Sequence, residues 1–475
     1  MSRTTEQQPA RRDPAPAVGG SEPAPRHPGW VLAASMLGFF VVALDAQVVN
    51  VAMIDIRADL GGGLSGLQWV ITGYTLAFSA LLLSAGALSD RSGARRTYAI
   101  GMALFVVASA ACGLATSLES LVAARIVQGA GAALITPTSL ALLRAAYDDP
   151  AGRAKAIGYW AMGGSVAAAA GPIVGGALTE LDWRLIFLVN LPVGLLALIL
   201  LRRVAPSPRR VVPIDWIGQI SATLALASLT YAVIEGAATG YGAPPILAAM
   251  AVAVLSAAVF LVAQRRGRHP MVPLSLFRMR PVVVSLTVGF VGMVGFYGVV
   301  FLQSLYFQQL RGATPLATGM LFLPMTILVT AVNAVAARIT IRFGHTLPIV
   351  VGQLVMVVGL ISLCLIPADA PVLAVAALMI PVAVGGALTV PAITSLLIDS
   401  VPAEKVGIGS GLLNSARQVG GSLGVAVFGA ILVRSADFML GLRISLFMIA
   451  GLLVVTAVLS LTLRRAASRP APING

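Results

Sequence analysis

Fourteen long apolar runs divide the chain, and they constrain its fold more than any other feature of the sequence. A helix that crosses a bilayer needs about 20 mostly apolar residues, because its backbone must satisfy its own hydrogen bonds in lipid. Only 11% of the residues are charged, whereas a globular chain carries about 25%. The sequence therefore predicts an all-α polytopic membrane protein whose 14 transmembrane helices lie near residues 30–54, 68–88, 97–118, 121–143, 155–178, 185–201, 214–235, 245–263, 281–304, 316–336, 347–366, 371–396, 409–433 and 443–463.

The net charge of +14 is explained by membrane topology. If the N-terminal tail is cytoplasmic, the inner segments hold roughly five times as many Lys and Arg residues as the outer loops, which is the positive-inside pattern. An even number of spans then places the N- and C-termini together in the cytoplasm. Arg far outnumbers Lys, which is typical of a GC-rich bacterial genome. We therefore expect a multi-pass protein of the bacterial inner or plasma membrane that lies in the lipid bilayer and binds no nucleic acid.

The reactive side chains form no recognisable catalytic or metal-binding set. Cys112 and Cys364 lie inside apolar runs, and the three histidines lie outside them. No span carries paired carboxylates or a nucleophile with a base, and the chain has no Gly-x-x-x-x-Gly-Lys-Ser/Thr phosphate loop. We therefore expect no enzymatic activity, no metal site and no ATP-driven step.

Two similar segments indicate an internal repeat. Gly131-Ala-Ala-Leu-Ile-Thr-Pro137 in the fourth run corresponds to Gly385-Gly-Ala-Leu-Thr-Val-Pro391 in the twelfth. Because these helices are eight apart, we predict two six-helix bundles separated by a two-helix insert. The predicted parts are a disordered cytoplasmic tail (1–29), an N-terminal bundle (30–203), the insert with its basic flanking loops (204–280), a C-terminal bundle (281–465) and a second cytoplasmic tail (466–475).

The loop between the second and third spans is dense in glycine and charge. It reads Gly86-Ala-Leu-Ser-Asp90-Arg91-Ser-Gly93-Ala-Arg95-Arg96 and resembles the signature loop of the major facilitator superfamily. Its glycines permit a tight turn, and its carboxylate can cap a helix N-terminus of the facing half and pair with cations. The resemblance therefore implies a cytoplasmic gate formed by Gly86, Asp90, Arg91, Gly93, Arg95 and Arg96. The alternative is a short loop that only obeys the positive-inside rule.

Further segments resemble the fourteen-helix drug:proton antiporter branch of that superfamily. Residues 44–52 resemble its first-helix motif, and residues 125–131 resemble its arginine motif. Residues 163–176 resemble its antiporter motif, which includes Gly164, Gly171, Pro172, Gly175 and Gly176. Segments 183–194 and 414–421 also fit the branch, and residues 306–326 resemble the methylenomycin-resistance type within it.

Two departures from the branch limit what the resemblance implies. Gln47 stands where the first-helix motif usually has Thr, which leaves the substrate open. The loop at 338–344 lacks the acid of a second gate motif, so only the N-terminal half keeps that gate.

The resemblance implies a function in transport. We expect a proton-coupled antiporter that exports small apolar or amphipathic compounds by alternating access, as in drug or antibiotic efflux. It would act as a monomer, with a small-molecule substrate and protons as partners and the proton gradient in place of any cofactor. The alternatives are a proton-coupled symporter for uptake, against which the antiporter motif argues, and a channel.

Asp45 and Arg125 are the predicted proton-coupling residues. An ionisable group inside a span costs roughly 2.5–3.5 kcal/mol and is functional by default. Burial favours the neutral form of a carboxyl, which would let Asp45 bind and release a proton during the cycle, and a nearby guanidinium opposes protonation. Movement of Arg125 relative to Asp45 would therefore couple proton release to conformational change. The alternatives are a structural ion pair for Asp45 and snorkelling of Arg125 towards the outer interface.

Gly171 and Pro172 predict a gating helix. Proline bends a helix, and glycines let a neighbouring helix approach closely, so this segment would form a tight outer seam that limits proton leakage. Ordinary helix packing is the alternative. Polar side chains on the spans are candidates for the substrate cavity, namely Gln47, Asn50, Tyr74, Gln128, Gln303, Tyr306, Asn333, Asn414 and Gln418.

Overall fold

The structure is a computed structural model that describes residues 28–147, 149–207, 209, 213–402 and 405–467. All regular secondary structure in these ranges is helical. The predicted tails lie almost entirely outside the described residues.

The N-terminal bundle contains five long helices and a short pair. They are α1 (Pro28–Leu60), α2 (Leu64–Ser92), α3 (Ala94–Gly113), α4 (Leu118–Ala146), α5 (Pro150–Leu181), α6 (Leu185–Leu188) and α7 (Asn190–Leu201). The short pair replaces the single sixth span that the sequence predicts. The chain breaks at Val189 because Pro192 has no N–H group to donate to the carbonyl of Leu188.

The insert and the C-terminal bundle complete the helical order. The insert consists of α8 (Trp216–Thr239) and α9 (Pro244–Arg266), followed by a 3₁₀ turn at Leu274–Arg278. The C-terminal bundle contains α10 (Arg280–Leu305) with a π turn (Tyr306–Leu310), α11 (Pro315–Phe343), α12 (Thr346–Leu365), α13 (Val372–Ser400), α14 (Val406–Arg434) and α15 (Phe438–Ala467).

The helix lengths agree with the fourteen predicted spans. Among the described residues, 13 helices are long and apolar enough to cross a membrane, and the Leu185–Leu201 segment is a shorter apolar helix in the place of the sixth span. The prediction of an all-α membrane protein with two six-helix bundles and a two-helix insert is therefore confirmed.

Short polar side chains and prolines begin several of these helices. The Asp149 carboxylate accepts the N–H of Gly152 at 2.6 Å at the start of α5. Asp215 accepts the N–H of Gly218 at 2.8 Å at the start of α8. Thr314 caps α11 in the same way at 3.2 Å, and Pro315 follows it, where the missing N–H group costs nothing.

The helices pack first within their own bundle. In the N-terminal bundle α1 lies against α5 and α7, and α4 lies against α2 and α3. In the C-terminal bundle α10 packs on α14, and α12 packs on α13 and α15. The two bundles meet along α2 with α14 and α5 with α11. In the insert, α8 contacts both α2 and α14, while α9 packs mainly on α8.

Candidate functional site

A buried ion pair lies in the centre of the N-terminal bundle. The Arg125 Nη1 atom lies 2.5 Å from Asp45 Oδ2, and the two side chains are 1% and 0% exposed. Arg125 also donates from Nε to the carbonyl of Val70 at 3.1 Å and from Nη1 to Gln128 Oε1 at 2.7 Å. Because a charge in a membrane interior is costly, this extensive hydrogen bonding is what stabilises the guanidinium there.

Two amide side chains hold the other carboxylate oxygen. Gln128 and Asn190 each donate to Asp45 Oδ1 at 2.9 Å. The same two amides donate to Ser109 Oγ at 3.0 and 2.9 Å, and Ser109 donates to the carbonyl of Phe187 at 2.9 Å. The network therefore joins α1, α3, α4 and α7, and it orients the carboxylate from two sides.

A large cavity lies between the two bundles. Its volume is about 1320 Å³, and its wall includes residues of α1, α2, α4 and α5 on one side and of α10, α11, α13 and α14 on the other. Five of the predicted cavity residues line it, namely Gln47, Tyr74, Asn333, Asn414 and Gln418. Most of the remaining lining is apolar, which suits an apolar or amphipathic molecule.

Tyr74 separates this cavity from the ion pair. Tyr74 lines the cavity, and its ring centroid is 4.2 Å from the guanidinium carbon of Arg125. Neither Asp45 nor Arg125 lines the cavity itself. The proposed proton site and the proposed substrate site are therefore adjacent but distinct in this conformation.

Four other predicted cavity residues do not line the cavity, and the structure corrects these predictions. Asn50 donates to the carbonyls of Ala46 and Gln47 at 3.4 and 3.3 Å on its own helix. Tyr306 lies in the π turn and donates to the carbonyl of Ala368 at 3.2 Å. Gln128 belongs to the ion-pair network, and Gln303 is buried with its Oε1 atom unpaired. A polar residue on a span can thus be satisfied by helix carbonyls or by a network away from the cavity.

The cavity opens at one end of the bundles. Its mouth includes Asp90 at the end of α2, Arg144 at the end of α4 and Asp215 at the start of α8. We call this the basic end, because it carries the turn with Arg91, Arg95 and Arg96. Cross-bundle contacts close the opposite end. Gln68 Nε2 donates to the carbonyls of Val425 and Ala426 at 3.1 and 2.8 Å, joining α2 to α14.

The antiporter motif lies in the closed end. A Cβ atom at Gly175 would lie 2.8 Å from the carbonyl oxygen of Val48 on α1, and one at Gly171 would lie 2.5 Å from Gln47 Cβ. A Cβ atom at Gly176 would lie 2.6 Å from the Cα of Leu316 on α11. Gly164 approaches Phe39 of α1 and Pro172 approaches Gly319 of α11, and both residues also line the central cavity. The predicted close approach of neighbouring helices is therefore present.

The glycine-rich loop lies at the open end with its gate residues apart. Asp90 is exposed and forms no ion pair with any residue that the structure describes, and Gly86 lines the cavity. Arg91 and Arg96 are exposed, whereas Arg95 donates to the carbonyls of Leu201 and Arg202 at 3.2 and 3.4 Å. Gly93 adopts φ +88°, which allows the sharp turn between α2 and α3.

The sequence alone did not single out four residues that belong to the ion-pair network, join the two bundles or line the cavity in the structure. Asn190 and Ser109 complete the Asp45 network, Gln68 joins the bundles, and Arg417 lines the cavity. The signal for Arg417 was present, because an arginine inside a span is functional by default. Gln68, in contrast, stands at the edge of a predicted span, where polar residues are ordinary.

Comparison with known proteins places the chain in a family. The family model described as Major Facilitator Superfamily matches residues 35–425. The methylenomycin A resistance protein of Bacillus subtilis is 36% identical over 432 residues, which cover 90% of this chain and 93% of that protein. The multidrug resistance protein Stp of Mycobacterium tuberculosis is 37% identical over 404 residues, covering 84% and 75%.

The fold agrees with a solved transporter at much lower identity. The crystal structure of the D-xylose-proton symporter superposes with a TM-score of 0.68 at 17% identity, covering 91% of this chain and 97% of that one. The resemblance inferred from the sequence motifs is therefore confirmed. The protein is a multi-pass membrane protein with a transporter fold, and the chain belongs to the major facilitator superfamily.

Proposed function

We propose that this protein is a proton-coupled antiporter that exports small apolar or amphipathic compounds by alternating access. The observation that carries the proposal is the buried Asp45–Arg125 pair, which Tyr74 separates from a cavity open at one end only. A proton site and a substrate site that are adjacent but not shared allow one conformational change to serve both.

The positive-inside rule gives the orientation. The basic end then faces the cytoplasm of a bacterial cell, with both termini on that side, and the cavity is open to the cytoplasm. A substrate enters from the cytoplasm or the inner leaflet. The closed end, where Gln68 bonds to α14 and Gly176 packs on α11, is the outer gate.

Asp45 is the proposed proton carrier. In the inward-open state Arg125 pairs with one oxygen of the Asp45 carboxylate and two amide N–H groups donate to the other, so both oxygens are occupied. Protonation therefore requires Arg125 to move away, which the outward-open state would provide by rearranging α1 against α4. On the return to the inward-open state, Arg125 re-forms the ion pair and displaces the proton towards the cytoplasm before Tyr74 again covers Asp45.

The glycine-rich loop is the proposed inner gate. In the inward-open state Asp90 lines the cavity mouth, and Gly407, Ile408 and Ser410 at the N-terminal end of α14 line the same cavity. The N-terminus of a helix attracts a carboxylate. Closure of the basic end would bring Asp90 to α14 and stabilise the outward-open state.

The relatives support export rather than uptake. Two proteins that are 36% and 37% identical to this chain carry names that state methylenomycin A resistance and multidrug resistance. The fold alone does not give the direction, because a D-xylose-proton symporter shares it. We propose that the protein acts as a monomer and needs no cofactor besides the proton gradient.

Substrate-dependent proton movement in everted membrane vesicles tests the proposal. Energised vesicles with a quenched pH dye in the lumen receive a panel of cationic, neutral and acidic apolar compounds. We expect dequenching with some compounds, loss of the signal in Asp45→Asn, and a normal signal in Asp399→Asn, whose carboxylate is exposed at the basic end. Dequenching that persists in Asp45→Asn would remove Asp45 from the coupling step. A symporter would be identified instead if substrate and protons moved together towards the cytoplasmic face, which is the outer face of an everted vesicle.

A further inference from the structure

Arg417 lies near the middle of α14 (Val406–Arg434) and lines the central cavity. Its Nε atom is buried without a hydrogen-bond partner. Its guanidinium forms no ion pair or hydrogen bond with any residue in the described ranges. A charge at this depth in a membrane protein normally has a partner, because an unpaired one is costly.

Arg125 shows how this chain treats a cation that is part of its permanent structure. Arg125 has a carboxylate at 2.5 Å, an amide oxygen at 2.7 Å and a carbonyl at 3.1 Å. Arg417 also lies inside a membrane-spanning helix, in the other bundle, and has none of these partners among the residues that the structure describes. The difference indicates that no described residue is the partner of Arg417 in this state, which leaves that place to a bound molecule.

The charges along the cavity wall support the same inference. The other charged residues that line the cavity are Asp90, Arg144 and Asp215, and all three lie at the basic end, where water is accessible. No described acid lines the deep part of the cavity next to Arg417. The interior is therefore electropositive, and it would attract an anion rather than a cation.

The neighbours of Arg417 would hold the rest of a small molecule. Asn414 lies three residues before Arg417 on the same helix and lines the cavity, as does Gln418. Phe296 and Tyr297 of α10 add aromatic surface to the same wall. This set combines one guanidinium, two amides and an apolar surface. The guanidinium and amides suit a single acidic group, and the apolar surface suits the aromatic or aliphatic remainder of the molecule.

We propose that Arg417 is the recognition residue for an anionic substrate, a small apolar compound with a carboxylate or a similar acidic group. The proposal rests on the export function above and specifies its substrate class. A guanidinium forms two parallel hydrogen bonds with a carboxylate, so the pair provides orientation as well as charge. Once the cavity closes and water leaves, the bound anion compensates the charge of Arg417 during the crossing.

The charge of the substrate has a consequence for the energy source. Export of a monoanion in exchange for one entering proton moves two charges in the direction favoured by an inside-negative potential. Export of a monovalent cation with the same stoichiometry moves none. Collapse of the membrane potential should therefore strongly reduce export of an anion. It should not affect export of a cation, because that exchange is driven by the pH gradient alone.

Equilibrium binding to the full-length protein in lipid nanodiscs tests the proposal. The probes are 1-naphthylacetate, its neutral amide, and 1-naphthylmethylamine, compared on native protein, Arg417→Gln, Arg417→Lys and Arg434→Gln. Arg434 is the matched control, because it lies exposed at the far end of the same helix outside the cavity. We expect the carboxylate to bind native protein and to bind Arg417→Gln roughly ten- to hundredfold more weakly, with partial recovery in Arg417→Lys.

Binding of the amide is the internal control for folding. Amide affinity should be the same in Arg417→Gln and in native protein, and Arg434→Gln should bind both probes normally. Equal affinity of native protein for carboxylate and amide, preference for the amine, or no binding of the carboxylate would each overturn the proposal. So would a uniform loss of all probes in both Arg417 variants.

Vesicle assays separate this proposal from the proposed antiport. Proton exchange with neutral or cationic compounds that stays intact in Arg417→Gln would support antiport. If native protein also binds the carboxylate, the amide and the amine with equal affinity, the anion site is overturned while antiport stands. Arg417-dependent carboxylate binding without proton exchange would support the anion site and overturn the antiport mechanism.

Discussion

The ring of Tyr74 lies 4.2 Å from the guanidinium carbon of Arg125 and forms the wall between the central cavity and the buried ion pair. Tyr74 is 1% exposed, and its hydroxyl group donates to the carbonyl of Val42 at 3.4 Å. The tyrosine therefore keeps water in the open cavity away from Asp45, while its π-face stabilises the arginine.

Replacement of Tyr74 by a small residue should uncouple the transporter. Tyr74→Ala would give cavity water a path to Asp45, so protons should leak through proteoliposomes several times faster in the absence of substrate. Tyr74→Phe keeps the ring and should leak no more than native protein, since it loses only a long hydrogen bond. The measurement is acidification of a lumenal pH dye under an imposed gradient. Equal rates of proton leakage in the alanine and phenylalanine variants would show that residues other than Tyr74 keep water away from Asp45.

The Asp45–Arg125 pair should behave as one energetic unit. Arg125→Gln alone leaves a buried carboxylate without its cation and should reduce the free energy of unfolding by about 3–5 kcal/mol. The double variant Asp45→Asn/Arg125→Gln removes both charges and should be more stable than Arg125→Gln alone. Thermal unfolding of native protein, Asp45→Asn, Arg125→Gln and the double variant in one detergent measures the coupling free energy between the two side chains. Strictly additive losses would contradict a direct interaction between these two side chains.

The sequence predicted the two members of the Asp45–Arg125 pair better than their surroundings. Ionisable residues inside spans are rare and need compensation, so Asp45 and Arg125 were recognisable without coordinates. Asn190 and Ser109 were not, because their approach to Asp45 depends on how α7 and α3 pack against α1 and α4. The break before α7 is a local effect of Pro192, and hydropathy alone does not reveal it because the run stays apolar across it.

The substrate cavity was harder to predict for a different reason. Polarity on a span indicates that a side chain needs a partner, but it does not indicate which partner. Asn50 uses carbonyls of its own helix, whereas Asn414 lines the cavity. Which face of a helix borders the cavity depends on the packing and on the conformational state, and neither follows from hydropathy.

Gln68 should stabilise the inward-open state. Its two hydrogen bonds to Val425 and Ala426 link α2 to α14 at the closed end, and they must break when that end opens. Gln68→Leu removes both bonds, each worth about 0.5–1.5 kcal/mol, so the outward-open population should rise roughly 5- to 150-fold. Distances between spin labels at the two ends measure the populations. The matched control is Gln308→Leu, which removes a bond within one bundle. An unchanged distribution in Gln68→Leu would show that these bonds do not contribute to the gate.

Gly176 should be a glycine at which the seam between α5 and α11 does not tolerate a side chain. A Cβ atom there would lie 2.6 Å from both the carbonyl oxygen of Pro315 and the Cα of Leu316, so α5 and α11 would have to separate. Gly158 lies on the same helix, and a Cβ atom added there would meet nothing within 4 Å, so this glycine provides the control.

Alanine at both positions gains the same helix propensity, about 1 kcal/mol over glycine, so any difference between the variants comes from the seam. We expect Gly158→Ala to transport normally. Gly176→Ala should lose most of its transport, and labels at the closed end should report an open or widened seam. Since the tight seam is predicted to limit proton leakage, this variant should also pass protons without substrate. A Gly176→Ala protein that keeps the closed seam and full transport would show that the two helices can separate there without consequence for the gate.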